Sequence, residues 1–450
     1  MGFVRIPSAP TVPVMPANNR IAVFGPSHAA QHFTGVNAAG DVPMLFSQTT
    51  GAVHWANFLS GGRAVLEPAD MVARNGEWTG PMTWNSIDYP GLMSRVDKLL
   101  ATGVGHVVMV APSANDRNAW TATQSIANLN AIIDRIVGAG MLLTILLDYP
   151  HGAAAYTNMR LSNTSASPQL DHWNAVNRWL LTLHGQRGIR VVDTPAILAD
   201  FNSAEGQAAA GVTIDGLHLS TAGAYAVGRV LAREWRRLYP LGGALPFGQA
   251  ERAGVVGINP APMISNSPYF PGTGGTLGAG ATGQLASGWQ TQLGSGVSAA
   301  YSKVSTTAFA GRSYSDDDGP LSKDWQQITL SGTASGTGDV MILRQAVNST
   351  IGDVLRACAE IEVDAGAAGL SGIGIYIFHS GSGQQIRAFG TPPANLADAM
   401  PSQAMAGVMR TPRWTADSNL FYLQLSAKPI NGASVSATIR VRGFAAGRGL

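Results

Sequence analysis

A serine directly after a short apolar run, and an aspartate and a histidine three residues apart far downstream, are the residue types for nucleophilic acyl chemistry. Ser27 ends the segment Ile21-Ala22-Val23-Phe24-Gly25-Pro26-Ser27 and is followed by His28. A serine there sits at the carboxyl edge of a buried strand, where open α/β sheets place their ligands. If a helix begins at Ser27, its unpaired N–H groups suit a developing oxyanion. Asp215-Gly216-Leu217-His218 can form a carboxylate–imidazole pair that holds one imidazole tautomer and steadies the imidazolium. Asn115, after the run His106–Val110, brings a side-chain amide to the same sheet edge. The stretch Asn75-Gly76-Glu77-Trp78-Thr79-Gly80 offers a glycine turn whose N–H can approach a substrate oxygen.

Each of these residue types also has a purely structural use. Serine caps helices, asparagine closes Asx-turns, and glycine serves turns of every kind. His28 and His32 are four apart on a predicted helix, but the glutamate of a metalloprotease motif does not follow His28. No metal is expected, and His28 is read as lining the pocket. Asp316-Asp317-Asp318-Gly319 lacks the alternating ligands of a calcium loop and reads as a solvated turn. Trp289, Trp325 and Trp414 are either sandwich core or a sugar-stacking platform, with core the commoner use of such aromatics.

The elements that must carry these residues are legible as periodicity. Ile21–Phe24, His106–Val110, Met141–Leu147 and Ile189–Val192 are apolar runs of strand length. Between them, Leu92–Leu100, Ile126–Val137 and Trp173–Leu183 repeat apolar residues at helical spacing. Strands alternating with crossover helices predict an α/β, doubly wound parallel sheet over residues 20–240. After Pro240 the helical pattern disappears. Residues 1–19 form a Pro-rich N-terminal segment, 241–261 a linker, and 262–450 an all-β region of short strands and Gly/Ser/Asn turns, the pattern of a jelly roll or β-sandwich. Its predicted strands are Trp325–Leu330, Val340–Leu343, Ala357–Val363, Ile373–Phe378, Leu420–Leu425 and Val435–Val441.

Composition narrows the partners. Charged residues are 12% of the 450 and the formal net charge is +2, with no dense Lys/Arg stripe, so nucleic acid is not expected. The single cysteine, Cys358, makes neither an intrachain disulfide nor a multi-Cys zinc site, and reads as a buried, inert thiol. No run of about 18 apolar residues predicts a membrane span. Met1–Arg20 lacks the apolar core of a signal peptide, so any export is expected to use another route.

The four motifs, in this order and at strand ends, resemble those of the SGNH (GDSL-like) hydrolase superfamily over about residues 20–240. The closest match is Asp-Gly-Leu-His-Leu-Ser at 215–220, with Ala222-Gly223 after it. The resemblance implies a five-stranded, flavodoxin-like sheet, with Ser27 as nucleophile and Asp215 and His218 completing the triad. It also implies an oxyanion hole of Ser27, Gly80 and Asn115, with no cofactor. Two positions depart from the family pattern: Pro26 stands where the family has Asp, and Ser113 where it has Gly. Asn266-Ser267-Pro268-Tyr269-Phe270 and Trp325-Gln326-Gln327-Ile328 resemble carbohydrate-binding-type jelly rolls found beside such hydrolases in phage tails. The implied function is a serine ester hydrolase acting on an acylated carbohydrate, a carbohydrate O-acetyl esterase on a virion tail with a trimer as its implied assembly; away from a virion, the expectation is a cytoplasmic protein. The alternatives are a general small-ester or lipolytic esterase, and a non-catalytic glycan- or receptor-binding tail protein whose site Pro26 and Ser113 have disabled.

Overall fold

A computed structural model describes residues 15–34, 46–84, 87–118, 120–152, 168–203, 206–240, 270–304, 325–336, 338–378, 385–390 and 399–448. The Asp316–Gly319 turn, the 241–261 linker and Asn266–Tyr269 lie outside these residues. The chain divides into two compact units. One comprises the described parts of Met1–Ala30 and Ala69–His218, the other those of Gln31–Gly35, Pro43–Pro68 and Leu219–Leu450.

The first unit is built on a five-stranded sheet in the order Met71–Ala73, Ile21–Gly25, His106–Val110, Leu142–Leu146, Arg190–Val192. Every pairing is parallel. Numbered along the chain this is the order 2-1-3-4-5 of a doubly wound sheet, whose switch point falls between Ile21–Gly25 and His106–Val110. All five residues of each of the three longest strands are buried, which is why they appear in the sequence as continuous apolar runs rather than as alternation. Ala22, Phe24, Val107, Met109, Leu143 and Ile145 form one face of the sheet. They pack with Leu92, Val96 and Leu99, with Leu129, Ile132 and Ile136, and with Val176 and Leu180 from the helices that follow. Ala122–Gly138 starts in a capping box, in which Thr121 and Gln124 satisfy each other's backbone N–H groups.

Two expectations change in detail. The predicted helix Leu92–Leu100 is two short helices, Gly91–Ser94 and Val96–Ala101. At the break Arg95 N–H bonds back only three residues, to Leu92 O, which tightens the turn. The edge strand Met71–Ala73 is only three residues long and gives no periodic signal.

The second unit is a β-sandwich. An eight-stranded sheet and a seven-stranded sheet supply its layers, and Trp289 of one sheet stacks on Phe444 of the other with ring centroids 5.3 Å apart. The strands read from the sequence are present and longer than their apolar cores, reaching Trp325–Thr333, Val354–Val363 and Ser434–Arg448. Phe33–Thr34 and Phe46–Gln48, from the amino-terminal half, form the far edge of the eight-stranded sheet.

Helix Ala52–Ser60 also belongs to this unit. It is buried on every side, so it lacks the polar face by which a helix is recognised in sequence. It packs on Thr221–Leu238 so closely that a Cβ at Gly228 would lie 2.4 Å from Trp55 Cβ. Its other contact is with Met405–Arg410, where a Cβ at Gly407 would lie 2.3 Å from Phe58 O. His32, expected on one helix with His28, lies past the end of the short helix Ser27–Ala30 and accepts the Val53 N–H at 3.3 Å near the start of Ala52–Ser60.

Candidate active site

Ser27 is delivered by a turn that only glycine permits. Gly25 has φ +151°, and a Cβ there would lie 2.5 Å from Val110 O of the neighbouring strand and 3.1 Å from Ala29 Cβ. Pro26 follows with its carbonyl accepting the N–H groups of Ala29 at 2.9 Å and Ala30 at 3.0 Å. It therefore precedes the short helix Ser27–Ala30 as its cap position, where a missing N–H leaves no helix bond unmade.

The loop 214–218 brings His218 to Ser27 across 191 residues, with Nε2 3.0 Å from Oγ. On the other side of the ring, Nδ1 is 2.6 Å from Asp215 Oδ2. Asp215 Oδ1 accepts the backbone N–H of Leu217 at 2.9 Å and of His218 at 2.7 Å, which locks the carboxylate on its own turn. Gly216 supplies the positive φ, +82°, that the turn needs. Partial burial pushes the Asp215 carboxyl upward, but the bond to His218, the imidazole charge and the two backbone N–H groups outweigh it and hold the group well below the usual carboxylate range. A permanent carboxylate on Nδ1 selects the tautomer with its proton on Nδ1. Nε2 is left as acceptor for a proton from Ser27. A hydroxyl, an imidazole and a carboxylate thus lie in one hydrogen-bonded line.

Across the switch point, the strand His106–Val110 ends in Ala111 at φ +42°, a strained conformation for a residue with a Cβ. The loop it starts clamps the glycine turn. Asn115 Nδ2 donates to Glu77 O at 2.8 Å, while buried Asp116 receives the Thr79 N–H at 2.9 Å and the Thr79 hydroxyl at 2.5 Å. One amide hydrogen of Asn115 is used in this bond, and an amide nitrogen carries two. Burial raises the Asp116 carboxyl to about 6 despite its bonds from Thr79 and Ser125. Glu77 is also buried and ion-paired to Arg95 at 2.7 Å. Gly80 lies under Trp120: a Cβ there would meet the ring at 2.2 Å and Asn128 Nδ2 at 2.9 Å. The structure therefore joins Asn115 to the 77–80 loop and Ser27 to Asp215 and His218.

One neighbour of the site, Asp148, is not singled out by the sequence alone. Ser113 donates its N–H to Asp148 Oδ1 at 3.1 Å and its hydroxyl to Asp148 Oδ2. Asp148 is fully buried, just past the strand Leu142–Leu146; its own N–H donates to Asn177 Oδ1 at 3.1 Å, and its carbonyl accepts Trp173 Nε1–H at 3.0 Å. Its place at a strand end was the available clue. His28 is buried, with its ring 5.0 Å from His218 and 5.0 Å edge-on from Tyr149. Among the described residues no group of three or more His, Cys, Asp or Glu side chains is arranged to hold a metal ion. Trp289, Trp325 and Trp414 are all buried, so these three rings are core and offer no sugar platform.

No family model and no curated protein matches the chain. Among solved structures it is similar to a member of the lipolytic protein G-D-S-L family from Veillonella parvula DSM 2008, at 17% identity and TM-score 0.32, over 49% of this chain and 97% of that one. A GDSL-like lipase from Bacteroides thetaiotaomicron VPI-5482 is similar at 11% identity and TM-score 0.33, over 49% of this chain and 88% of that one. A structure described as carbohydrate-binding modules from the beta-sandwich super family is similar at 13% identity and TM-score 0.23, over 35% of this chain and 56% of that one. At these identities and TM-scores the likenesses carry no weight for activity.

Proposed function

We propose that the chain is a serine ester hydrolase working by acyl transfer, with residues 20–240 supplying the chemistry. The observation that carries this reading is the line Ser27 Oγ to His218 Nε2 at 3.0 Å and His218 Nδ1 to Asp215 Oδ2 at 2.6 Å. His218 takes the Ser27 proton as Oγ bonds to the acyl carbon, and the carbonyl oxygen becomes an oxyanion held by the N–H groups of Ser27 and Gly80 and the Asn115 amide. The intermediate collapses as His218 returns the proton to the departing alkoxide. Water, deprotonated by His218, then attacks the acyl-serine and releases the acid and free Ser27.

The preferred substrate class is an acylated carbohydrate, and the preferred setting is a virion tail. Support for both is the β-sandwich unit on the same chain, whose residues 262–450 would hold the glycan. The test of the chemistry is labelling of the intact protein by a fluorophosphonate, with the modified peptide located by mass spectrometry. Labelling at Ser27 that is lost in Ser27→Ala and weakened in His218→Ala is expected. Folded protein that takes no label overturns the proposal. Rates on p-nitrophenyl esters of increasing chain length separate a deacetylase, fastest on acetate, from a lipolytic enzyme.

A further inference from the structure

Within the second unit, a small cleft opens between helix Ala52–Ser60 and the end of strand Met405–Arg410, lined among others by His54, Asn57, Arg356, Arg410 and Thr411. Its charges do not balance. Arg356 is 3% exposed and paired with Glu67. The same Glu67 accepts the Arg413 N–H at 3.1 Å and lies 3.7 Å from Arg413 Nε, so one carboxylate serves two guanidinium groups. Arg410 has no ion pair among the described residues, and its Nε is buried without a hydrogen-bond partner.

The remaining polar groups at the cleft do not neutralise Arg410. The Asn57 amide is engaged at both ends by Ala64, at 3.1 and 3.0 Å. Thr411 Oγ1 accepts the Ala357 N–H at 2.9 Å. Cys358, paired with Arg410 across the two strands, has its thiol pushed up to about 12 by burial and stays uncharged. Burial, with the neighbouring His32, lowers His54 well below its ordinary value, so it too is neutral. Burial and repulsion from Arg410 and Arg413 bring Arg356 down to about 8. Two guanidinium groups share the Glu67 carboxylate, and Arg410 stands near both with no carboxylate of its own, a poor arrangement for a folded chain unless an anion completes it.

We propose that this cleft is an oxyanion subsite in which Arg410, backed by Arg356, takes the carboxylate, phosphate or sulfate group of a ligand. A planar guanidinium presents paired N–H donors that match two oxygens of such a group. The cleft is too small for a sugar ring, so it takes the charged head of a ligand whose body lies outside. The choice of ligand rests on the glycan-binding reading proposed above for this unit: on that reading the head is the acid group of a charged sugar. The inference does not depend on the esterase reading, since none of the residues of the acyl-transfer site takes part.

The test is calorimetric titration of the full-length protein, in a low-salt buffer free of phosphate and sulfate, with glucuronate, glucose 1-phosphate, glucose 6-sulfate and glucose. Saturable binding of at least one charged sugar, with glucose inert, is expected, and which one binds identifies the head group. Arg410→Gln should weaken it at least tenfold, whereas Arg233→Gln, an equal charge loss on an exposed helix position, should leave it unchanged. As a measurement on the wild type, phenylglyoxal modification is mapped by mass spectrometry, and the bound sugar should slow reaction at Arg410 but not at Arg233. No saturable binding of any charged sugar overturns the proposal. So does equal binding in the two variants or, if Arg410→Gln does not fold, modification of Arg410 at the same rate with and without the sugar.

Discussion

Ser113 donates both its backbone N–H and its hydroxyl to the carboxylate of Asp148, which is fully buried one strand away. The side chain that departs from the glycine of the resembled motif is therefore directed at a carboxylate acceptor, and it ties the loop that carries Asn115 to the end of the next strand. Removing the hydroxyl leaves a buried carboxylate oxygen without its donor. Ser113→Ala is expected to lose about 1–3 kcal/mol of stability in urea unfolding. A variant as stable as the wild type would mean that the pair contributes little.

Asn115 has two assignable effects. Its proposed part in the oxyanion hole predicts that Asn115→Ala loses roughly two to three decades in kcat. Its bond to Glu77 O predicts some loosening of the 77–80 loop as well. Steady-state kinetics on an acetate ester should show the fall in kcat with KM little changed, and retention of full activity would remove Asn115 from the mechanism.

Gly80 is constrained by its neighbour Trp120. A Cβ at Gly80 would sit 2.2 Å from the indole ring, closer than any real contact, so Gly80→Ala should displace either the ring or the loop. Activity is expected to fall by at least tenfold. The double variant Gly80→Ala/Trp120→Ala should recover part of that loss, and a double variant no better than the single one would point to backbone conformation instead.

The two loop carboxylates are expected to titrate in opposite senses. Asp215 is held below its ordinary value of about 3.9, so the stability it contributes is present above that pH and is lost as pH falls below it toward the folded value. Asp116 is raised to about 6, so the folded chain holds its proton longer than the unfolded chain does. Its share of stability is therefore greatest below about pH 4 and declines as pH rises to about 6. Carboxyl carbon NMR should find Asp116 titrating near pH 6 while Asp215 is still ionised at pH 3. The reverse order would contradict both assignments.

Periodicity placed the parallel strands well, because a strand buried on both faces is a continuous apolar run. His106–Val110 was read with its observed ends. It failed for helix Ala52–Ser60 because burial all round removes the alternation by which a helix is seen. Phe33–Thr34 and Phe46–Gln48 are too short to signal, and nothing local shows that they add to a sheet made by strands more than 300 residues away.

By itself the sequence determined where buried strands and amphipathic helices form, since those follow from side-chain polarity along a few neighbouring residues. It also determined which residue types stand at strand ends. Only the tertiary structure decided that His218 Nε2 meets Ser27 Oγ across 191 residues, that Ser113 is answered by Asp148, and that Arg410 has no counter-ion among the described residues. Those pairings depend on distances between segments remote in the chain, set by how sheets and helices close-pack.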